Sequence, residues 1–299
     1  MTGILDESRS AGAVGQTEAA FSVTRQSEDR FLGRNIHSGP GRVFGGLLVA
    51  QGLAAGGATV RADLAPHSLH AQFLRPADQL MPLDYIVERI KDGRSFATRL
   101  VRVQQEGRLA ALLMLSFAAE SRGPSRNPLP PMAPAPDACP TLEAWLNDVG
   151  QHYPGLSEVL RGRDHPLDIR PVSAPSRLDM HGSRDASLSF WFRPLVAGRA
   201  DRLARCCALA YASDRFVMTT AALTELARFV AGELMTATLD HSLRIHAEPP
   251  EGWLFFRTDN PVAGAGRAFV TGEIWSTDGR LIASVGQEGA IVYRDGVAA

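Results

Sequence analysis

The chain has 299 residues, of which 45% are hydrophobic and 21% charged, with a formal net charge of −1. This apolar content supports an ordinary packed core and excludes global disorder. The lack of a basic excess excludes the profile of a dedicated nucleic-acid-binding protein.

Residues 1–20 are polar and acidic, without the apolar centre of a signal peptide, and read as a disordered tail. Val43 to Val60 is uncharged but holds five glycines and Gln51, so a membrane span is not expected. Gly45 to Ala62 is apolar on every side, which predicts a helix buried all round. Strands are expected at Leu83 to Ile90, Ser95 to Val103 and Leu109 to Phe117, with Lys91-Asp92-Gly93 and Glu106-Gly107 as turns. Ser121 to Pro140 holds seven prolines and reads as a linker. Beyond it, strands are expected at Ser187 to Phe192, Trp253 to Thr258, Arg267 to Trp275 and Leu281 to Val292, with Leu203 to Leu226 helical. Cys139, Cys206 and Cys207 lack CxxC spacing, and His37, His67, His70, His241 and His246 lack metal-ligand spacing. No metal or cofactor is therefore expected. The chain ends in Val297-Ala298-Ala299, which is not a peroxisomal address, so a cytoplasmic protein is expected.

The two halves echo each other. His67-Ser68-Leu69 recurs as His241-Ser242-Leu243, 174 residues later. Gly93-Arg94-Ser95-Phe96 returns as Gly266-Arg267-Ala268-Phe269 after 173, and Gly107-Arg108-Leu109 as Gly279-Arg280-Leu281 after 172. Three matches in one order imply a duplicated unit, each an antiparallel meander with one buried helix, an α+β architecture. By these offsets Asp240 faces Pro66, and Gln287 faces Leu115. A position that is polar in one copy only marks a site kept in that copy. The same residues also fit a strand-edge cap and a partner for a buried backbone group.

Arg42-Val43-Phe44-Gly45-Gly46, His67-Ser68-Leu69-His70, Phe73-Leu74-Arg75-Pro76, Leu209-Ala210-Tyr211-Ala212-Ser213-Asp214, Leu239-Asp240-His241-Ser242-Leu243 and Gln287-Glu288-Gly289 together resemble the acyl-CoA thioesterase II family. The resemblance implies a tandem double hotdog. An N-terminal hotdog would span 21–120, a linker 121–180, and a C-terminal hotdog carrying the catalytic residues 181–295. It implies hydrolysis of a fatty acyl-CoA by a water held between a carboxylate, an amide and a hydroxyl. Asp240 is expected as the carboxylate and Gln287 as the amide. The hydroxyl is expected shortly after Trp253, where the chain reads Thr258-Asp259-Asn260-Pro261 and Asn260, or else Pro261, takes its place, unless Asn260 is a plain turn residue before proline. Gly45 and Gly46, opening a helix, are candidate oxyanion donors, or they serve tight packing. Arg75 and Arg94 are candidates to meet coenzyme A phosphates, or simply surface charges. No GxSxG elbow supports a serine nucleophile. Two alternatives remain: a hotdog enoyl-CoA hydratase, and a degenerate acyl-CoA-binding protein without turnover. The only partners expected are the acyl-CoA substrate and, because sheet edges need covering, further copies in a homo-oligomer.

Overall fold

The computed structural model describes residues 21–36, 41–152, 166–172, 186–195 and 201–294. The tail over 1–20 lies outside the described residues. The first unit holds β1 (Val23–Arg25), β2 (Arg30–Gly33), helix α1 (Gly45–Gly57), β3 (Leu64–Phe73), β4 (Leu83–Asp92), β5 (Phe96–Gln105) and β6 (Arg108–Ala119). Next come α2 (Leu142–His152), β7 (Leu167–Pro171), β8 (Ser187–Pro194), α3 (Arg202–Ser213), α4 (Val217–Ala222) and α5 (Leu226–Val230). The chain then forms β9 (Leu234–Thr238), β10 (Asp240–Ile245), β11 (Leu254–Gly264), β12 (Arg267–Ser276) and β13 (Leu281–Tyr293).

The strands form one antiparallel sheet in the order β1-β2-β4-β5-β6-β3-β10-β13-β12-β11-β8-β7, with β9 added on β13. Read from the centre outward, β3-β6-β5-β4-β2 has the same plan as β10-β13-β12-β11-β8. The duplication is thus visible in the topology. The units join where β3 pairs with β10, and Leu69 faces Leu243, its own counterpart in the repeat. The flanking pairs Ser68–Arg244 and His70–Ser242 exchange under the same relation. A pseudo-two-fold axis therefore passes through the Leu69–Leu243 pair.

The sheet wraps two helices. Leu47, Val49, Ala50 and Leu53 of α1 are fully buried, as are Ala210, Tyr211 and Ala212 of α3 within rounding. These helices run antiparallel, with Gly46 against Tyr211 and Gly57 against Leu203. A Cβ at Gly46 would stand 2.5 Å from the Tyr211 carbonyl oxygen, so this crossing requires glycine. The helical region expected over Leu203 to Leu226 is broken. Phe216 adopts φ +59°, and α4 starts at the next residue.

The stretch read as a linker over 121–180 contains structure, which corrects that reading. Its proline-rich start lies across the second unit, where Asn127 Oδ1 accepts the Leu281 N–H at 2.9 Å and Trp191 Nε1 donates to the Pro134 carbonyl at 2.8 Å. Trp145, Leu146 and Val149 of α2 then pack on Leu188, Leu223 and Leu226, and β7 extends the second sheet beyond β8. Proline forbids ladder hydrogen bonds but not a packed strap. The apolar spacing Leu142, Trp145, Leu146, Val149 is the helical signal in this stretch.

Candidate active site

The polar cluster of the second unit is built on a bulge. On one side of β13, Thr238 pairs with Gly289, while Ser242 pairs with Gly286. Leu239, Asp240 and His241 therefore oppose only Gln287 and Glu288. In a regular strand, residues three apart point to opposite faces. The extra residue turns Thr238 and His241 to the same face, where both meet Gln287. Gln287 Nε2 donates to Thr238 Oγ1 at 3.1 Å, and Gln287 Oε1 lies 2.6 Å from His241 Nδ1. Both Gln287 and His241 are fully buried.

Asp214 comes from the break after α3. It is 6% exposed and sits between Ser213, which closes α3, and Arg215. Phe216 holds the left-handed turn through packing. Its ring meets Phe190 edge-on at 5.2 Å, and the Arg215 guanidinium lies 4.4 Å above it. Such strain persists only where the surroundings over-determine it. The Asp214 carboxylate lies beside the Gln287 amide and the Gly46 backbone N–H, both of which favour its ionised form. Helix α1 has Phe44 at its N-cap and no side-chain cap. Asp214 caps it from the other unit, where the helix dipole favours negative charge. A Cβ at Gly45 would stand 2.7 Å from Asp214 Oδ2, so glycine leaves the carboxylate its space.

Burial pushes the Asp214 carboxyl above the usual carboxylate value. His241, the Gln287 and Gly46 hydrogen bonds and Arg215 oppose that shift without cancelling it. A cavity of about 290 Å³ opens beside the cluster, with Val43, Gly45, Leu48, Phe73, Thr238 and Leu239 in its wall. Arg42 and Arg75 also line it and are exposed. A carboxylate biased toward taking a proton, a hydroxyl and an amide thus meet behind the wall that Gly45 and Thr238 give to a largely apolar pocket. That set suits general-base activation of a water.

Of the expected residues, Gln287, Gly45 and Gly46 lie in this cluster. Asp240 does not. It points to the face opposite His241, where its Oδ1 accepts the Glu288 N–H within the bulge at 3.0 Å. Asn260 is also placed elsewhere, with its amide donating to the Val262 and Phe269 carbonyls at 3.0 and 2.8 Å across an irregularity in β11. The Gly46 N–H, a candidate oxyanion donor, is given to Asp214. The offset pairing is corrected too. Pro66 pairs with Phe117, and Leu69 with Leu115, so Phe117 rather than Leu115 corresponds to Gln287. His67, the counterpart of His241, bonds Ser116 Oγ at 2.9 Å instead. The first unit therefore keeps the irregular strand but not the polar cluster. Two residues of the cluster, Asp214 and Thr238, were not anticipated. For Asp214 the available signal is a carboxylate closing an apolar helix, because a buried charge requires partners.

Known proteins resemble this chain along most of its length. Residues 35–118 match the acyl-CoA thioesterase N-terminal domain, and residues 136–291 match the acyl-CoA thioesterase C-terminal domain. Acyl-coenzyme A thioesterase 8 of Homo sapiens is 33% identical over 273 residues, covering 88% of this chain and 85% of the relative. Acyl-CoA thioesterase 2 of Haemophilus influenzae is 29% identical, covering 89% and 93%. The crystal structure of the acyl-CoA thioesterase II TesB2 from Mycobacterium marinum superposes with a TM-score of 0.77 at 29% identity, over 95% of this chain and all of that one.

Proposed function

The chain belongs to the acyl-CoA thioesterase II family, and from that premise we propose that it hydrolyses fatty acyl-CoA with a water held by Asp214, Thr238 and Gln287. The observation that carries this reading is the convergence of the three side chains beside the cavity at Gly45 and Thr238. One Gln287 amide proton serves Asp214 and the other Thr238, which leaves the Thr238 hydroxyl proton to donate. Asp214 takes a proton from the water, whose oxygen attacks the thioester carbon. The tetrahedral oxyanion collapses, the carbon–sulfur bond breaks, and the coenzyme A thiolate regains the proton from Asp214. The Gly45 N–H, in the first turn of α1, is the donor for the oxyanion. Arg42 and Arg75 meet phosphates at the mouth. No nucleophilic side chain and no cofactor enters these steps.

The hydroxyl that was sought near Asn260 is supplied by Thr238. This removes the observation behind the reading as a non-catalytic binding protein. Asp259-Asn260-Pro261 shapes β11, so hydratase chemistry gains nothing from it. Asn260→Ala should leave turnover unchanged and lower stability by about 1 kcal/mol, as expected for lost hydrogen bonds. A kinetic assay with a melting curve on that variant checks both. Incubation with acyl-CoAs of graded chain length should release free thiol. Saturable binding without thiol, or hydration of crotonyl-CoA, would contradict the reading.

The raised Asp214 carboxyl sets the pH response. The base must be ionised, so kcat/KM should fall as pH drops through the Asp214 value. The acid limb should therefore be displaced upward from the ordinary aspartate value. A pH–rate profile with its limb at or below the ordinary aspartate value would remove Asp214 as the base.

Such an enzyme acts in fatty acid metabolism, and we place it in the cytoplasm. Among the described residues, no helix is long and apolar enough to cross a membrane. Among the described residues, strands β1 and β7 end the sheet, which supports a homo-oligomer.

A further inference from the structure

We propose that His241, held by Ser213, is a positioning residue that fixes which way the Gln287 amide faces. This rests on the reading of Asp214, Thr238 and Gln287 above. A glutamine amide is nearly symmetric, and a half-turn exchanges its donor and acceptor ends. Turned the wrong way, Gln287 would present its carbonyl oxygen to the Asp214 carboxylate and Thr238 would lose its donor.

The contact at the other end prevents this. Gln287 Oε1 and His241 Nδ1 are 2.6 Å apart. A carbonyl oxygen only accepts, so Nδ1 must hold the proton and donate it. With the proton on Nδ1, His241 Nε2 is the acceptor, and it takes the one Ser213 hydroxyl proton at 2.8 Å in place of the Ala210 carbonyl, which lies 2.9 Å from the same oxygen. The ring is thus gripped at both nitrogens, and His241 and Ser213 are both fully buried. Ser213 precedes Asp214 in the chain. The break after α3 therefore sets the carboxylate and, through Ser213 and His241, the amide that holds it. The first unit lacks the device. There His67 turns to Ser116, and Phe117 stands at the glutamine position.

Two substitutions separate the ring nitrogens. In His241→Asn, the side-chain amide lies near the place of Nδ1 and keeps the donor to Gln287. In His241→Gln, it lies near the place of Nε2 and keeps only the Ser213 contact. His241→Asn should retain kcat within about 3-fold, while His241→Gln should lose about 10–100-fold, the scale of misplacing a reacting group. KM should be little changed in both. Melting temperatures show whether the two fold equally well. Equal kcat values in two equally folded variants, whether both kept or both lost, would overturn the proposal.

If either variant fails to fold, the wild-type chain decides through ¹⁵N NMR of the His241 ring. A protonated Nδ1 supports the proposal, and an unprotonated Nδ1 overturns it. That measurement does not depend on activity. Failure of the catalytic reading would instead show as full turnover in Asp214→Asn.

Discussion

Asp214→Asn should lower kcat by about 10²–10⁴-fold, the usual cost of losing a general base, and leave KM nearly unchanged. The asparagine keeps an oxygen for the Gly46 N–H, so the crossing of α1 and α3 survives. The same substitution should raise the melting temperature at neutral pH. Burial lifts the Asp214 carboxyl above its unfolded value, so the folded protein prefers the protonated form. The ionised form is therefore destabilising at any pH above the folded value. That penalty shrinks as pH falls and vanishes below the unfolded value. Melting curves of both proteins across pH should show the variant ahead at neutral pH and the gap closing in acid. An inactive but destabilised variant would show that Asp214 mainly supports the fold.

Gln287→Ala carries the second large effect, a fall in kcat of about 10²–10³-fold, comparable to removing one preorganised donor from an active site. It removes the donors to Asp214 and Thr238 together and leaves the His241 Nδ1–H without its acceptor. Some loss of stability should accompany it, since a buried donor is left unsatisfied. The informative variant is the double. If Asp214 and Gln287 hold one water, the second substitution has little left to remove, and the combined loss should stay near the larger single loss. Losses that multiply would place the two residues in separate steps.

Much of the fold was legible because its causes are local. The uncharged, glycine-rich run gave α1, and the alternation between turns gave β4 to β6 and β11 to β13. The shared triplets gave the duplication. The thioesterase resemblance and Gln287 came from the same short segments. The carboxylate of the buried cluster was not legible by these means. Asp240 sits among the right neighbours, and period two puts it on the face opposite that cluster. Its oxygen instead closes a bulge that no alternation rule contains. Thr238 escaped notice for the same reason, since only the bulge brings it to the face of His241. Asp214 depends on a left-handed turn at Phe216, which is set by packing against Phe190, from outside the local sequence. Its partner, the N-terminus of α1, belongs to the other unit. The strap over the second unit is hidden for a different reason: seven prolines mask it, and the helical spacing of Leu142, Trp145, Leu146 and Val149 comes only after them.

The most direct measurement compares Asp214→Asn and Asp240→Asn side by side, following thiol release from one acyl-CoA at one pH. Asparagine at 240 still offers an oxygen to the Glu288 N–H, so the bulge should hold and turnover should stay within about 3-fold of wild type, a change worth under ~1 kcal/mol of barrier. Asparagine at 214 should be slower by at least about 100-fold. The reverse ranking, with Asp240→Asn inactive and Asp214→Asn near wild type, would contradict the assignment of the base to Asp214.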